Sequence, residues 1–77
     1  LDLSSFDTSN VTDMNAMFYD CEALITIYIS DRWETNRVRD SRYMFAYCNS
    51  LSNFNKEKTN SEMAKPIEQG GYLTLKK

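Results

Sequence analysis

The sequence predicts a short α/β solenoid in which a strand and a short helix recur every 26–27 residues and a C-terminal segment closes the stack. Two observations predict it: an internal repeat at fixed offset, and apolar spacing that alternates at the start of each copy and becomes helical in its second half. A period of this length lies in the leucine-rich-repeat range, where each unit contributes one strand and one helix or turn. The expected organisation is one structural domain: repeat 1 over residues 1–26, repeat 2 over 27–52, and a diverged C-terminal cap over 53–77.

The repeat is clearest at Met17-Phe18-Tyr19-Asp20-Cys21-Glu22-Ala23-Leu24 against Met44-Phe45-Ala46-Tyr47-Cys48-Asn49-Ser50-Leu51, where Met, Phe, Cys and Leu recur 27 residues apart. At the same offset Phe6 matches Trp33, Asp7 matches Glu34, Thr8 matches Thr35 and Val11 matches Val38. Upstream the offset becomes 26, with Leu1, Leu3 and Ser4 matching Ile27, Ile29 and Ser30 across a one-residue insertion near Asp31.

Each element has a local reason. Leu1-Asp2-Leu3 and Ile27-Tyr28-Ile29 alternate apolar and polar or amphipathic residues, as half-buried strands do. Met14, Met17, Phe18 and Cys21 fall at i, i+3, i+4 and i+7, one face of a helix, and Met44, Phe45 and Cys48 take that face in the second copy. Asn10, Thr12 and Asp13 precede the first helix as capping residues. One unit cannot bury its apolar face alone, so stacking is expected to set Leu1 and Leu3 over Ile27 and Ile29, Phe6 over Trp33, and Phe18 over Phe45. In the tail a third strand is expected from Phe54, a polar turn over 56–61, a further turn at Pro66 and Gly70-Gly71, and a short strand over 72–75. Phe54, Ile67, Tyr72, Leu73 and Leu75 favour a cap over a linker.

The run from Leu1 to Met14, followed by Met17-Phe18-Tyr19-x-Cys21-x-x-Leu24, resembles the bacterial surface protein repeat, the BspA-like leucine-rich repeats of mycoplasma lipoproteins and Gram-positive surface proteins. The likeness is strong over residues 1–26 and looser over 27–52. It extends to Gly70-Gly71-Tyr72-Leu73-Thr74, which resembles segments that end such arrays. It implies an exported protein at the cell surface, extracellular, with a role in adhesion, and it supplies no catalytic residue and no defined ligand site. The chain opens at Leu1 in mid-pattern, so it is expected to be a piece of a longer array.

Composition narrows the function classes. With 42% hydrophobic and 26% charged residues the chain has the material to fold. A net charge of −2 predicts no general affinity for nucleic acid, and no apolar run is long enough for membrane insertion. Two cysteines without a histidine make neither a disulfide framework nor a zinc site. Cys21 and Cys48 are expected as small core thiols rather than a disulfide. Asp7, Asn10 and Asp13 lack the alternating ligands, glycine and closing glutamate of a calcium loop, and fit Asx-turns or caps better. No metal, cofactor or catalytic constellation is expected, since no serine or cysteine has a histidine to activate it.

Charge is uneven. Residues 1–26 carry a net −5, residues 27–52 a net +1 with Arg32, Arg37, Arg39 and Arg42, and the tail a net +2. The candidate partner-binding residues are Tyr28, Arg32, Arg37, Arg39 and Arg42: a tyrosine directed outward from a strand beside a basic group. The plainer reading is a solvated face partly paired with the acidic first copy. The expected function is a non-catalytic adhesion module meeting a host or matrix protein or a glycan, and neighbouring repeats of the parent chain. The alternative is a spacer or end cap holding another domain off the surface.

Overall fold

The structure, a computed structural model, describes residues 1–76. Two strands are formed, β1 (Tyr28–Ile29) and β2 (Thr74–Leu75), with single 3₁₀ turns at Ser61–Met63 and Ile67–Gln69. Among the described residues there is no α-helix. The expected solenoid of strand plus helix per repeat is therefore not the fold, and the helices placed over Met14–Cys21 and Met44–Cys48 do not form.

The reason lies in the backbone hydrogen bonds. From Met14 onward each second N–H crosses to the other copy: Met14 donates to the Asp40 carbonyl (2.8 Å), Ala16 to Arg42 (2.9 Å), Phe18 to Met44 (2.9 Å) and Asp20 to Ala46 (2.8 Å). The intervening N–H groups close i→i+3 turns, Met17 on Met14, Tyr19 on Ala16 and Cys21 on Phe18. Residues in left-handed backbone interrupt any helix, Ala16 (φ 55°) and Asp20 (φ 60°) in the first copy, Tyr43 (φ 60°) and Tyr47 (φ 64°) in the second. Donors spent on a neighbouring chain segment cannot also build an i→i−4 ladder. A string of turns four residues apart buries Met14 and Phe18 as a helix would, but leaves Met17 exposed and Cys21 half-buried.

The first copy thus lies parallel to the second along its length. At the strand end Leu3 N–H donates to the Tyr28 carbonyl and Tyr28 N–H to that of Leu1 (both 2.8 Å). Asp2 makes an isolated parallel bridge to Tyr28, and β1 pairs in parallel with β2, Tyr28 opposite Thr74 and Ile29 opposite Leu75. The third strand of this ladder is β2. Phe54, where the sequence suggested one, sits half-buried at a turn with its N–H on the Leu51 carbonyl.

Stacking of like residues holds where the copies face each other. Phe18 and Phe45 are parallel with ring centroids 5.4 Å apart. Leu3, Ile27, Ile29, Trp33, Met44, Cys48 and Leu51 join them in one buried cluster. Phe6 instead remains half-exposed on the outer side of the first copy. There it lines an open concavity of about 410 Å³ with Val11, Met14 and Met17.

Thr8 is the buried polar residue of this interface. Its hydroxyl donates to the Glu34 carbonyl (2.8 Å) and accepts the Glu34 N–H (2.7 Å), so one side chain satisfies both backbone groups of a residue 26 positions away. Thr8→Val keeps the shape and leaves both groups unpaired. It is expected to cost about 2 kcal/mol in denaturant unfolding, while Thr8→Ser retains most of the stability. Equal loss in the two variants would show that the methyl packing, not the hydroxyl, matters.

The tail runs back along the second copy. Phe45 N–H donates to the Thr59 carbonyl (2.9 Å), Ser61 N–H to the Ser41 hydroxyl (3.1 Å), and the Trp33 indole N–H to the Ala64 carbonyl (3.1 Å). The chain then turns at Gly70 (φ 86°) and returns through Tyr72 and Leu73, both buried, into β2. The Tyr72 hydroxyl donates toward the carbonyls of Lys58 (2.6 Å) and Asn55 (3.1 Å) and accepts the Asn55 N–H (3.0 Å).

Candidate functional site

The turns that replace the helices determine what the surface shows. Alternation inside each string of turns sends Met14, Phe18, Met44, Phe45 and Cys48 to the core and Tyr19, Tyr43 and Tyr47 outward, 46%, 62% and 56% exposed. Tyr43 and Tyr47 themselves occupy left-handed backbone, which costs an L-residue with a bulky side chain roughly 1–2 kcal/mol. Their backbone is held by the Ala46-to-Tyr43 turn and by the cross-copy bonds on either side. Tyr19 and Tyr47 meet edge to face with centroids 5.6 Å apart. Beside the three rings lies a shallow concavity of about 290 Å³, completed by Asn49, Phe54, Lys56 and Thr59. Its lining holds one cation and no carboxylate.

Sequence reasoning missed this surface. Of the tyrosines, only Tyr28 was singled out there as a contact residue, and the helices expected over Met14–Cys21 and Met44–Cys48 were read for their apolar face alone. A signal was present: three of the five tyrosines fall in the same section of the two copies, Tyr19 in the first, Tyr43 and Tyr47 in the second.

The residues singled out from sequence are placed differently. Tyr28 lies on β1, partly exposed, between Asp2 and Thr74. The Lys76 ammonium pairs with the Asp2 carboxylate alongside it. Arg37 and Arg39 are exposed and share a small concavity with Thr12 and Asn36. Arg32 reaches the Ser4 carbonyl at 3.5 Å, across to the first copy. Arg42 bends onto Asp40, with Nη2 3.2 Å from Oδ2 and Nε 3.3 Å from Oδ1. Arg37 and Arg39 are brought together; Arg42 is occupied by a local partner.

Electrostatics at these pairs are those of exposed groups. The Lys76 hydrogen bond, with the Ser4 hydroxyl and N–H, holds the Asp2 carboxyl well below the usual range. Asp40 is lowered to about 2, first by the Arg42 hydrogen bond, then by the Arg42 N–H and the Asn15 amide. A depressed carboxylate stabilises the fold above its ordinary value of 3.8, and that contribution is lost as pH falls through about 2. Asp40→Asn is therefore expected to flatten the acid limb of stability between these values, and a carboxyl carbon titration by NMR should place Asp40 near 2. An ordinary midpoint for Asp40 would mean the Arg42 pair does not persist in solution.

The two cysteines are free thiols. Cys48 is buried, donates to the Phe18 carbonyl at 2.9 Å, and has its pKa raised by that burial. Asp7 and Asp13 accept the N–H groups of Ser9 (3.0 Å) and Asn15 (2.8 Å), the Asx-turn geometry. With no helix behind it, Asp13 is a turn residue rather than a cap. Among the described residues no group of three or more histidine, cysteine, aspartate or glutamate side chains could hold a metal ion.

A family model described as Mycoplasma protein of unknown function, DUF285, matches residues 1–69. No curated protein and no solved structure matches the chain.

Proposed function

Since this chain belongs to the DUF285 family of Mycoplasma proteins of unknown function, we propose that it is a non-catalytic binding module of a bacterial surface protein, displayed outside the cell and meeting a host or matrix protein or a glycan. The observation that carries this reading is the exposed tyrosine surface of Tyr19, Tyr43 and Tyr47. Aromatic residues with few rotatable bonds, fixed on a hydrogen-bonded backbone, are the composition of a contact surface, because little entropy is lost when they engage. The finer likeness of residues 1–26 to BspA-like surface repeats supports the location and the adhesive role. Arg37 and Arg39 form a second, charged contact in the same proposal.

A binding screen on mucins, matrix proteins and glycans tests it, with two variants beside the native chain. Tyr43→Asn with Tyr47→Asn removes two rings while keeping a residue type that accepts left-handed backbone. Arg37→Glu with Arg39→Glu reverses the basic pair. Saturable binding lost in the tyrosine variant is the expected result, and loss only in the arginine variant moves the contact to the basic pair. Binding that neither variant alters would remove both surfaces from the reading.

A second reading, a spacer or end cap, is favoured by the asymmetry of the stack. The tail covers the outer side of the second copy through Thr59, Ala64 and β2. The outer side of the first copy leaves Phe6 and Met17 exposed over an apolar concavity suited to a preceding unit. For a spacer, none of the four substitutions changes binding.

A further inference from the structure

We propose that the concavity beside Tyr19, Tyr43 and Tyr47 binds a saccharide unit carrying a carboxylate, a sialic or uronic acid within a glycan. This inference rests on the binding-module reading and names the ligand class of its aromatic surface.

Four features lead to it. The first is shape. A volume of about 290 Å³ stands at the lower limit of small-molecule sites, roughly 300–1,000 Å³, which suits one or two rings and leaves no room for a large cofactor. The second is rigidity. Tyr19 and Tyr47 brace each other edge to face, and Tyr43 and Tyr47 stand on left-handed backbone fixed by turn and cross-copy bonds. Non-glycine residues in such backbone persist only where the surroundings hold them, and they concentrate at functional surfaces. Exposed aromatic faces of this kind accept the C–H side of a pyranose ring, which is apolar, while its hydroxyls stay solvated or bonded at the rim.

The third feature is the rim itself. Asn49 and Thr59 provide an amide and a hydroxyl at the edge of the rings, and both donate and accept hydrogen bonds. The fourth is charge. Lys56 is the charged residue of the lining, and among the described residues it pairs with no carboxylate. A cation beside aromatic faces, with no acidic neighbour in the lining, complements a ligand with an apolar face and one negative charge. A single lysine is not the basic strip that tracks a nucleic-acid backbone.

The test is a titration of the isotopically labelled chain by NMR, with sialyllactose, a trigalacturonate and neutral lactose as probes. Shifts confined to Tyr19 and residues 43–49 and 54–59 are expected with the acidic sugars, and weaker ones with lactose. The two acidic arms distinguish a sialic from a uronic source. Lys56→Gln is expected to weaken acidic binding about fivefold, the worth of an exposed charge pair, and to leave lactose unaffected. Tyr43→Asn with Tyr47→Asn is expected to abolish both, with the spectrum elsewhere unchanged as evidence of folding.

Equal affinity for acidic and neutral sugars, or indifference to Lys56→Gln, overturns the charge assignment. Absence of any sugar shift, with tyrosine-dependent binding of a matrix protein, overturns the saccharide assignment and leaves the module reading standing. Absence of binding to every probe and protein overturns both.

Discussion

Gly71→Ala is expected to cost about 3 kcal/mol or more. A Cβ at Gly71 would lie 2.0 Å from the Lys65 carbonyl oxygen and 2.6 Å from its carbon. Both are backbone atoms, so no side-chain rotation relieves the overlap. The same Lys65 carbonyl accepts the Leu73 N–H (3.0 Å), and the Gly71 carbonyl accepts the Asn53 amide (3.0 Å). Moving either strand apart therefore breaks the bonds that lead Tyr72 and Leu73 into the core. Gly70 provides the comparison. It has φ 86° but open space around its missing Cβ, so Gly70→Ala carries only the left-handed penalty of roughly 1–2 kcal/mol. Urea unfolding followed by the fluorescence of Trp33, the sole tryptophan, reads both, because its indole bonds the Ala64 carbonyl of the tail. If Gly71→Ala unfolds at the same midpoint as Gly70→Ala, the close crossing at Lys65 is not what holds the tail.

The tail's path could not be read from its sequence. Residues 59–64 pass the second copy in reverse order, Thr59 by Phe45, Ser61 by Ser41, Ala64 by Trp33, so a search for a third copy in register finds nothing. What was legible was apolar character at Tyr72 and Leu73 and the turn at Gly70-Gly71, and these do carry the return into β2.

The repeat itself was legible because stacking selects like residues at like positions. Phe18 over Phe45, and Leu3 with Ile29 in one cluster, follow from the 26–27 residue offsets. The element between the strands was not legible, for a definite reason. Apolar residues at i and i+4 satisfy a helix of period 3.6 and a string of four-residue turns equally well over two turns. What separates them is the partner of each N–H, and Ala16, Phe18 and Asp20 find theirs in Arg42, Met44 and Ala46 of the other copy. Asp20, Tyr43 and Tyr47 carry no glycine signal at their left-handed positions, so the sequence offered no mark where the helix fails. The tyrosine surface went unread for the same cause, since its geometry exists only once the turns replace the helix. Tyr28 and the arginines were legible as exposed groups, but which of them converge was not. Arg42 is drawn to Asp40 two residues away, a local choice that no repeat pattern encodes.

Phe45→Ala is expected to remove about 3–5 kcal/mol. For a chain of 77 residues total stability is on the order of 4–12 kcal/mol, so this single change threatens folding at room temperature. Phe45 is fully buried and stands between the copies and the tail. One face stacks on Phe18 at 5.4 Å, Tyr72 meets it edge-on at 5.1 Å, and its N–H holds the Thr59 carbonyl. Alanine keeps the backbone bond and deletes the ring shared by all three segments, which cannot collapse together because Phe18 and Tyr72 are each tied elsewhere, Phe18 by its N–H on Met44 and Tyr72 by its hydroxyl on Lys58. Phe45→Leu, which refills most of the volume, is expected to lose less than half as much. Tyr72→Phe isolates the other half of the junction, leaving the ring contact and deleting hydrogen bonds to Asn55 and Lys58 at about 1–3 kcal/mol. A double-mutant cycle between Phe45→Leu and Tyr72→Leu should show coupling, because each change removes one ring of the contact between them. Additive losses would mean that the tail packs independently of the stacked aromatic pair, and that the second copy is stable without it.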